Sequence, residues 1–401
     1  MRFPPLSESL TGLRVVDLTR NLAGPYCTMI LADLGADVVK IESTAGGDDS
    51  RSWQPPGWNG ESATFLSANR NKRSLAVDLD TGAGQKLVRK LAGSADVVVE
   101  SFRPGSLRAR GLDYESLRDL NPAIIYCSIT GYGNRGPKAG RPGYDPVVQA
   151  DTGIMELTGY PAEPPARLGI GAVDLGTALW ATVGIQAAIA NRARHGAGAL
   201  IETSLFETSA WWLSYHLIGY LGSGRIPQRQ GTGTPFIAPY EVFATTEGDL
   251  FVGAGNDRLF QSLISELGIP ELRDDPRYSS NEARVTNKAS LRAIIQRALL
   301  GGPAAEWEKR LSRRSVPCSA VRTVADLAAD PQLEALELLT PFPHPRIHDL
   351  RLIDMPVSAG KRRGAHQYPP PMLGEHTDQI LAELGIDDTR ISELRDEGVI
   401  A

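Results

Sequence analysis

The sequence predicts an α/β protein with a mostly parallel sheet, because strand-like and helix-like patterns alternate through its first half. A stretch dense in Gly, Pro and Thr, residues 222–235, separates that half from a second series of strands and short helices. With 401 residues, the chain is also too long for one ordinary core. We therefore expect a large Rossmann-like domain in residues 1–215 and 341–401, and a linker with a smaller α/β domain in residues 216–340.

The elements of the large domain follow one another as repeated strand–helix units. The first unit is a strand at 13–18, a helix at 26–34 closed by Gly35, and a second strand at 37–42. The alternation continues with strands at 74–79, 96–100 and 123–128, helices at 82–91 and 112–120 between them, and later helices at about 146–157, 175–194 and 205–221. Parallel strands joined by right-handed crossovers are the expected product.

The smaller domain opens with two strand-like segments, at 240–245 and 250–254. Short helical patterns follow up to about residue 335, and the tail of the large domain ends in two helices. The chain contains no internal repeat, so a solenoid or propeller is not expected.

Charge and hydropathy disfavour two classes of partner. A formal net charge of -5 gives no positive field for nucleic acid or for an anionic membrane surface. The most apolar stretch, about 175–192, contains Thr177, Thr182 and Gln186, so it is expected to be a buried helix and not a membrane span.

The cysteines and histidines restrict the chemistry. Cys27, Cys127 and Cys318 are an odd number at distant positions, which favours neither disulfides nor a zinc site and fits a reducing, cytoplasmic setting. All six histidines lie after residue 194. Because His-Glu-x-x-His, Cys-x-x-Cys, Gly-x-Ser-x-Gly and Walker motifs are all missing, metal hydrolysis, serine acyl transfer and P-loop chemistry lack their required residues.

A dinucleotide site is a tempting alternative, because Glu42 ends the second strand where a ribose ligand would lie. The glycine fingerprint is missing, however. Residues 19–25, after the first strand, contain only Gly24, whereas close approach to a pyrophosphate requires three glycines. Nicotinamide or flavin binding is therefore disfavoured.

Asp174 is the leading candidate for a reactive group. It lies between a glycine-flanked turn, residues 169–171, and the long apolar helix. The reference pKa of aspartate, about 3.9, predicts an ionised carboxylate at pH 7, which could attack an acyl group without a separate base. The alternative is that Asp174 only caps the helix N-terminus.

Six phrases of the sequence resemble the family III CoA-transferases, which include formyl-CoA:oxalate and carnitine CoA-transferases. They are Leu13-Arg14-Val15-Val16-Asp17-Leu18, Ala23-Gly24-Pro25, Leu34-Gly35-Ala36-Asp37-Val38-Val39-Lys40-Ile41-Glu42, Asn71-Lys72-Arg73-Ser74, Arg141-Pro142-Gly143-Tyr144-Asp145 and Leu373-Gly374-Glu375-His376-Thr377. The six phrases are spread over nearly the whole chain, and their order and spacing together resemble those of the family. Asp174 falls at the position of the family's catalytic aspartate.

The resemblance implies a mechanism in which Asp174 carries both acyl group and CoA. Attack on a donor acyl-CoA gives a mixed anhydride and CoA thiolate, the thiolate then forms an aspartyl-CoA thioester, and an acceptor acid reverses these steps. No permanently bound cofactor and no metal are implied, since coenzyme A and acyl-CoA are substrates. The implied partners are an acyl-CoA, a small carboxylic acid and a second copy of the chain in an interlocked homodimer.

The resemblance also implies a set of CoA-binding positions. These are Leu22, Ala23, Asn69, Asn71, Lys72, Ser101, Phe102, Arg103, Thr130, Gly131 and Tyr132. Two features depart from the family: Ala109 stands where a phosphate-binding arginine is expected, so Arg108 or Arg110 is expected to replace it, and Ser43 stands where a relative has arginine. Gly231 and Gly233 match a mobile glycine loop of some members, although a plain interdomain linker explains them as well.

Two other functions remain as alternatives. α-Methylacyl-CoA racemases of the same fold pair the aspartate with a histidine, and Tyr144 stands at that histidine's position. Tyrosine, with a reference pKa near 10, exchanges protons poorly at neutral pH. A non-catalytic CoA-binding protein is the second alternative, but it would have no need of a carboxylate at position 174.

Overall fold

The computed structural model describes residues 4–401, which form two compact units. The first unit contains the chain up to Thr152, Leu168–Leu217 and Glu334–Ala401, and the second contains Gly153–Arg167 and Ile218–Leu333. The sequence analysis assigned residues 153–167 to the large domain. In the structure they pack with the second unit, because the Gly231 amide donates to the Gly159 carbonyl and the Arg229 guanidinium donates to carbonyls of this segment.

A six-stranded, fully parallel sheet organises the first unit. Its strands are β1 (Arg14–Leu18), β2 (Asp37–Glu42), β3 (Lys72–Ala76), β4 (Val97–Glu100), β5 (Ile125–Thr130) and β6 (Ala199–Ser204). They lie in the order β3-β2-β1-β4-β5-β6, in which the winding direction reverses between β1 and β4. The predicted parallel sheet is thus confirmed. Strand β6 was missed, since its side chains alternate between partly buried and exposed and it follows a helix after only a short turn.

Helices cover the sheet and build most of the second unit. They are α1 (Ala23–Asp33), α2 (Ala63–Ala68), α3 (Gly82–Gly93), α4 (Tyr114–Arg118), α5 (Asp145–Thr152), α6 (Ile154–Leu157), α7 (Ala172–His195), α8 (Leu205–Trp212), α9 (Ser214–Ser223), α10 (Asp257–Glu266), α11 (Asn281–Thr286), α12 (Lys288–Leu299), α13 (Ala304–Arg313), α14 (Val324–Ala328), α15 (Pro331–Ala335), α16 (Thr377–Glu383) and α17 (Asp388–Asp396). One core joins the sheet to α3 and to the two C-terminal helices, through residues such as Val16, Val98, Val88 and Leu381.

Helix α7 is long and apolar enough, by length and composition, to cross a membrane, but 44% of that stretch is buried inside the structure. Thr182 on this helix donates to the Ala178 carbonyl and contacts the Cys27 thiol of α1. The helix ends at Gly196, which adopts the left-handed conformation that favours glycine. These contacts are those of a core helix packed on the sheet.

The second unit has its own small sheet and core. Strands β7 (Tyr240–Ala244), β8 (Asp249–Gly253) and β9 (Cys318–Ala320) pair antiparallel in the order β9-β8-β7. Phe243, Leu250, Phe260 and Tyr278 are fully buried between this sheet and the surrounding helices.

The C-terminal tail covers the outer edge of β3. In the first unit, β10 (Leu339–Pro341) and β11 (Arg351–Ile353) form a short antiparallel pair before the tail runs along the large sheet. The Asn71 amide then donates to Tyr368, the His376 amide to Ser74, and the Ala401 amide to Ala76. Backbone groups that an edge strand would leave unpaired are therefore satisfied by the tail.

Candidate active site

Two neighbouring cavities open at the carboxyl ends of the parallel strands. The first cavity, of 310 Å³, is lined by the segments that follow β1, β4 and β5, and by Asp174. The second cavity, of 260 Å³, lies over the ends of β1, β2 and β3 and the turn after β4. Ligands of open parallel sheets bind where the winding reverses, and both cavities flank that position between β1 and β4.

Asp174 lies in the first turn of α7, but it does not cap this helix. Gly171 is the N-cap residue and offers no side chain. The capping acceptor comes from α5: one carboxylate oxygen of Asp145 accepts the amides of Val173, at 2.8 Å, and Asp174, at 3.1 Å. The helix-capping alternative for Asp174 is therefore wrong, and its carboxylate is left to line the first cavity.

The environment of Asp174 opposes its ionisation. Burial in the cavity wall is the main cause and the nearby charge of Asp145 is the second, and together they raise the pKa of Asp174 to about 7. The ionised fraction of Asp174 at pH 7 is thus smaller than its reference pKa predicts. Near neutral pH the carboxyl group is divided between its charged and neutral forms.

Asp145 is held in its capping position by a second side chain of α5. The Gln149 amide group donates to the other Asp145 carboxylate oxygen, and its carbonyl accepts the Leu168 amide at 2.9 Å. Gln149 is fully buried and Asp145 nearly so. All four polar side-chain atoms of this Gln149–Asp145 link are hydrogen-bonded, and they tie the start of α7 to α5.

Two loops approach closely beside Asp145. A Cβ added at Gly143 would lie 2.8 Å from the Cα of Gly131, and one added at Gly131 would lie 2.9 Å from the Cα of Gly143. Only glycine permits this backbone contact. It places Tyr132 and Tyr144 on the wall of the first cavity, with Tyr144 56% exposed.

Cationic side chains surround the mouth of the first cavity. Arg20, Arg103 and Arg141 all line it, and all three are exposed. The Arg20 guanidinium lies over the Phe102 ring, at 5.3 Å from its centroid, and 3.8 Å from the Asp49 carboxylate. Within residues 4–401, no histidine lines either cavity, so the acid/base partner of a racemase has no counterpart here.

Most of the predicted CoA positions converge on these cavities. Those that line the first cavity are Leu22, Ala23, Ser101, Phe102, Arg103, Thr130, Gly131 and Tyr132, together with the predicted nucleophile Asp174. Phe102 lines the second cavity as well, as do Ser43 and Arg110.

Three predicted positions, Asn69, Asn71 and Lys72, do not line either cavity. Lys72 is fully buried and donates to the carboxylate of Asp17, at 3.0 Å, and to the Asn69 amide oxygen. Burial lowers the pKa of Lys72 to about 8 despite this partner. Asn71 donates to Asp33 and accepts amides of the C-terminal tail. All three side chains hold β3 and its neighbours together.

The remaining predicted positions have separate surroundings. The Arg110 guanidinium is paired with Asp80 and donates to the Ser106 carbonyl, whereas Arg108 is exposed on the same 3-10 turn. Gly231 and Gly233 belong to the second unit. Gly231 has a positive φ and donates to the Gly159 carbonyl.

Sequence reasoning missed several residues of the two cavities. Arg20, Asn21 and Trp53 line the first cavity, and residues 78–80 line the second. The available signal was positional: Arg20 and Asn21 directly follow β1, and residues 78–80 follow β3, at the sheet edge where ligands bind. Trp53 does not directly follow a strand of the parallel sheet, so the sequence offered no comparable signal for it.

Known proteins match this chain over nearly its whole length. The model of the family described as CoA-transferase family III matches residues 10–377. A succinate–glutarate CoA-transferase of Agrobacterium fabrum is 41% identical over 394 residues, which are 96% of this chain and 96% of that protein. A succinyl-CoA:glutarate CoA-transferase of Homo sapiens is 38% identical over 394 residues, covering 98% of this chain and 90% of that protein.

A solved structure agrees with these matches. The crystal structure of a CaiB/BaiF family protein from Brucella suis superposes with a TM-score of 0.84 at 40% identity, over 93% of this chain and 98% of that one. The resemblance carried by the six sequence phrases is thereby confirmed. The chain belongs to CoA-transferase family III, and it is a family III CoA-transferase.

Proposed function

We propose that the protein moves CoA from an acyl-CoA donor to a free carboxylic acid through covalent intermediates on Asp174. One observation carries the proposal: Asp174 stands at the start of α7 with its carboxylate in the first cavity, while Asp145 performs the capping that would otherwise occupy it. A carboxylate with no structural duty in a cavity of this kind is available for nucleophilic attack.

The proposed reaction exchanges one thioester for another and passes through two anhydrides, at which stages CoA is a free thiolate. The Asp174 carboxylate attacks the donor's acyl carbon, the carbon–sulfur bond breaks, and CoA departs as a thiolate. The donor's acyl group is then joined to Asp174 as an anhydride. The thiolate then attacks the Asp174 carbonyl carbon and expels the donor acid as carboxylate. The acceptor carboxylate attacks the resulting aspartyl-CoA thioester, and the released thiolate takes the acceptor's acyl group from the second anhydride. Asp174 is regenerated, with no proton, metal or nucleotide triphosphate consumed.

Acyl-CoA would extend across both cavities. Its thioester reaches Asp174 in the first cavity, where Leu22, Ala23 and Thr130 supply the walls. The second cavity carries acidic groups such as Asp78 and Asp80, which suit the hydroxyl and amino donors of the adenosine end. The exposed guanidinium groups of Arg103 and Arg108 are then the cations available to the phosphates.

We further propose that the acids served are short dicarboxylates. The two curated relatives above are named for succinate or succinyl-CoA and glutarate. In this chain, Arg20 and Arg141 line the cavity that holds Asp174, so cations are present for the second carboxylate of such an acid.

A homodimer of interlocked chains in the cytoplasm completes the proposal. The described part of the first unit exposes large apolar side chains on α7 and α8, including Leu179, Val183 and Trp211, with Trp211 61% exposed. Contiguous apolar surface of this kind marks a protein contact. Three free cysteines suit a reducing compartment.

The mechanism is tested by trapping the intermediate. Purified protein is incubated with succinyl-CoA and quenched with hydroxylamine or borohydride, and the modified peptide is mapped by mass spectrometry. We expect modification within residues 167–180, at Asp174, and loss of both modification and transfer in Asp174→Ala. Asp119→Ala, which removes an exposed carboxylate on α4's C-terminal side, should keep both. Transfer that persists in Asp174→Ala would overturn the mechanism.

A further inference from the structure

Glu100 is a buried carboxyl group that no step of the proposed reaction uses. It is the last residue of β4 and only 6% exposed. Other buried carboxylates of the same unit have a cation: Asp17 pairs with Lys72, and Glu42 pairs with Arg51. Within residues 4–401, no lysine or arginine forms an ion pair with Glu100, so its carboxyl group has a different partner.

That partner is the turn that follows β4. A Glu100 carboxylate oxygen accepts the Phe102 backbone amide at 2.7 Å. The Ser128 hydroxyl, opposite it on β5, is also a hydrogen-bonding neighbour, and the Tyr126 hydroxyl and the Cys127 thiol are the ionisable groups of β5 that interact with it electrostatically. Burial raises the pKa of Glu100 to about 7, against the effect of these hydrogen bonds. The carboxyl group that accepts the Phe102 amide therefore changes from charged to neutral as the pH falls through about 7.

Phe102 is the wall that the two cavities share. Its side chain lines both of them, and so does Arg20, whose guanidinium lies over the Phe102 ring. The Arg20 amide donates to the Ser101 hydroxyl at 3.1 Å, which links the same turn to the segment after β1. Arg20 and Phe102, here called the Arg20–Phe102 wall, are the two described residues that line both cavities, so a ligand that occupies both would lie against them.

We infer that Glu100 is a positioning residue for acyl-CoA: by holding the Phe102 amide, it fixes the Arg20–Phe102 wall in the orientation that lets the ligand span both cavities. The inference rests on the proposed function, because it assigns the two cavities to one ligand. Glu100 itself has no contact with the reacting atoms. Its loss should weaken binding of acyl-CoA without slowing the chemistry of bound acyl-CoA.

The test compares two substitutions at Glu100 with a control elsewhere in the first unit. Glu100→Met keeps the length but removes the acceptor, and Glu100→Gln keeps a neutral acceptor. Glu8→Met removes an exposed carboxylate that lines neither cavity. KM for succinyl-CoA, kcat with saturating glutarate, and the melting temperature are measured for each.

We expect Glu100→Met to raise KM about tenfold, the loss expected for one hydrogen bond to a charged acceptor, with kcat within about twofold. Glu100→Gln should restore KM near pH 6, where the native carboxyl group is neutral. At pH 8 its KM should exceed the native value by about threefold, because only the native group becomes a charged acceptor. Glu8→Met should match the native enzyme at both pH values.

At each pH, the KM of Glu100→Gln is divided by the KM of the native enzyme. This ratio removes the effect of the ionisation of CoA, which is the same for both proteins. An unchanged KM in Glu100→Met would overturn the inference, as would a parallel fall in kcat and melting temperature that Glu100→Gln fails to rescue. Failure of the proposed function is distinguishable, since it would leave the native enzyme without an Asp174 adduct at saturating succinyl-CoA.

Discussion

The carboxylates of Asp174 and Asp145 lie on either side of Gly171, with one oxygen of each 3.8 Å from the position of an added Cβ. Asp145 therefore has two effects on Asp174, the proposed nucleophile. It fixes the first turn of α7 through two backbone amides, and its charge helps to raise the pKa of Asp174. The first effect orients the reactive group, and the second reduces the fraction that is ionised at neutral pH.

This coupling predicts a pH dependence. Because attack requires the carboxylate form and burial and Asp145 raise the pKa of Asp174 to about 7, the rate of adduct formation should rise between pH 6 and pH 8. Asp145→Asn removes the neighbouring charge but keeps an oxygen for the amides of α7. We expect the midpoint of the profile to move to lower pH, as measured by single-turnover trapping.

In Asp145→Asn the amide nitrogen of the new side chain would face the Gln149 amide group, which is also a donor, so the hydrogen bond between them is lost. We therefore expect a modest loss of stability. For this reason the midpoint is the decisive quantity, and the maximal rate is not. A midpoint that stays in place would show that Asp145 acts on Asp174 only through structure.

At the scale of the element, α7 shows how far sequence reasoning reaches. The apolar run and the preceding glycines predicted a helix near 175–194, and the structure has one at Ala172–His195. The capping residue could not be predicted, because Asp145 lies far from α7 in the sequence and meets it only after the sheet has formed. For the same reason the sequence does not show that Lys72, one of the CoA positions implied by the resemblance, pairs with the buried carboxylate of Asp17.

The close approach of Gly131 and Gly143 predicts an effect at this scale. Gly143→Ala would bring a methyl group within 2.8 Å of the Gly131 Cα. Because the contact is with backbone, the clash can be relieved only by moving one of the two loops. The displaced loop carries Asp145, so we expect lower kcat together with a lower melting temperature. Gly169→Ala is the matched control, since nothing lies within 4 Å of its added Cβ and its φ is not positive. Equal behaviour of the two variants would contradict this assignment.

For the whole molecule, the alternating patterns predicted the parallel sheet, whereas the predicted CoA-binding positions and the homodimer came only from the family resemblance. Apolar residues such as Trp180 and Trp211 stack edge to face at 5.3 Å and are still exposed in the single chain. A tryptophan on a helix is equally compatible with a core and with an interface, because the residue type does not show which of the two covers it. Their exposure in this structure is what favours the interface.

The proposed interlocked dimer predicts unusual subunit exchange. Light scattering should give twice the mass of one chain, and differently labelled dimers should not exchange subunits on dilution, because interlocked chains separate only by unfolding. Exchange should begin at denaturant concentrations that unfold the first unit. Rapid exchange in buffer would show an ordinary dimer, and a single-chain mass would exclude any dimer.

The tail that covers the outer edge of β3 has a consequence for synthesis on the ribosome. Residues 218–333 of the second unit emerge as one continuous stretch, whereas the outer edge of β3 waits for Tyr368, His376 and Ala401. Domains tend to fold as they emerge, and an unpaired edge strand invites pairing with other chains. Until the tail has been made, the outer edge of β3 is therefore open to such pairing.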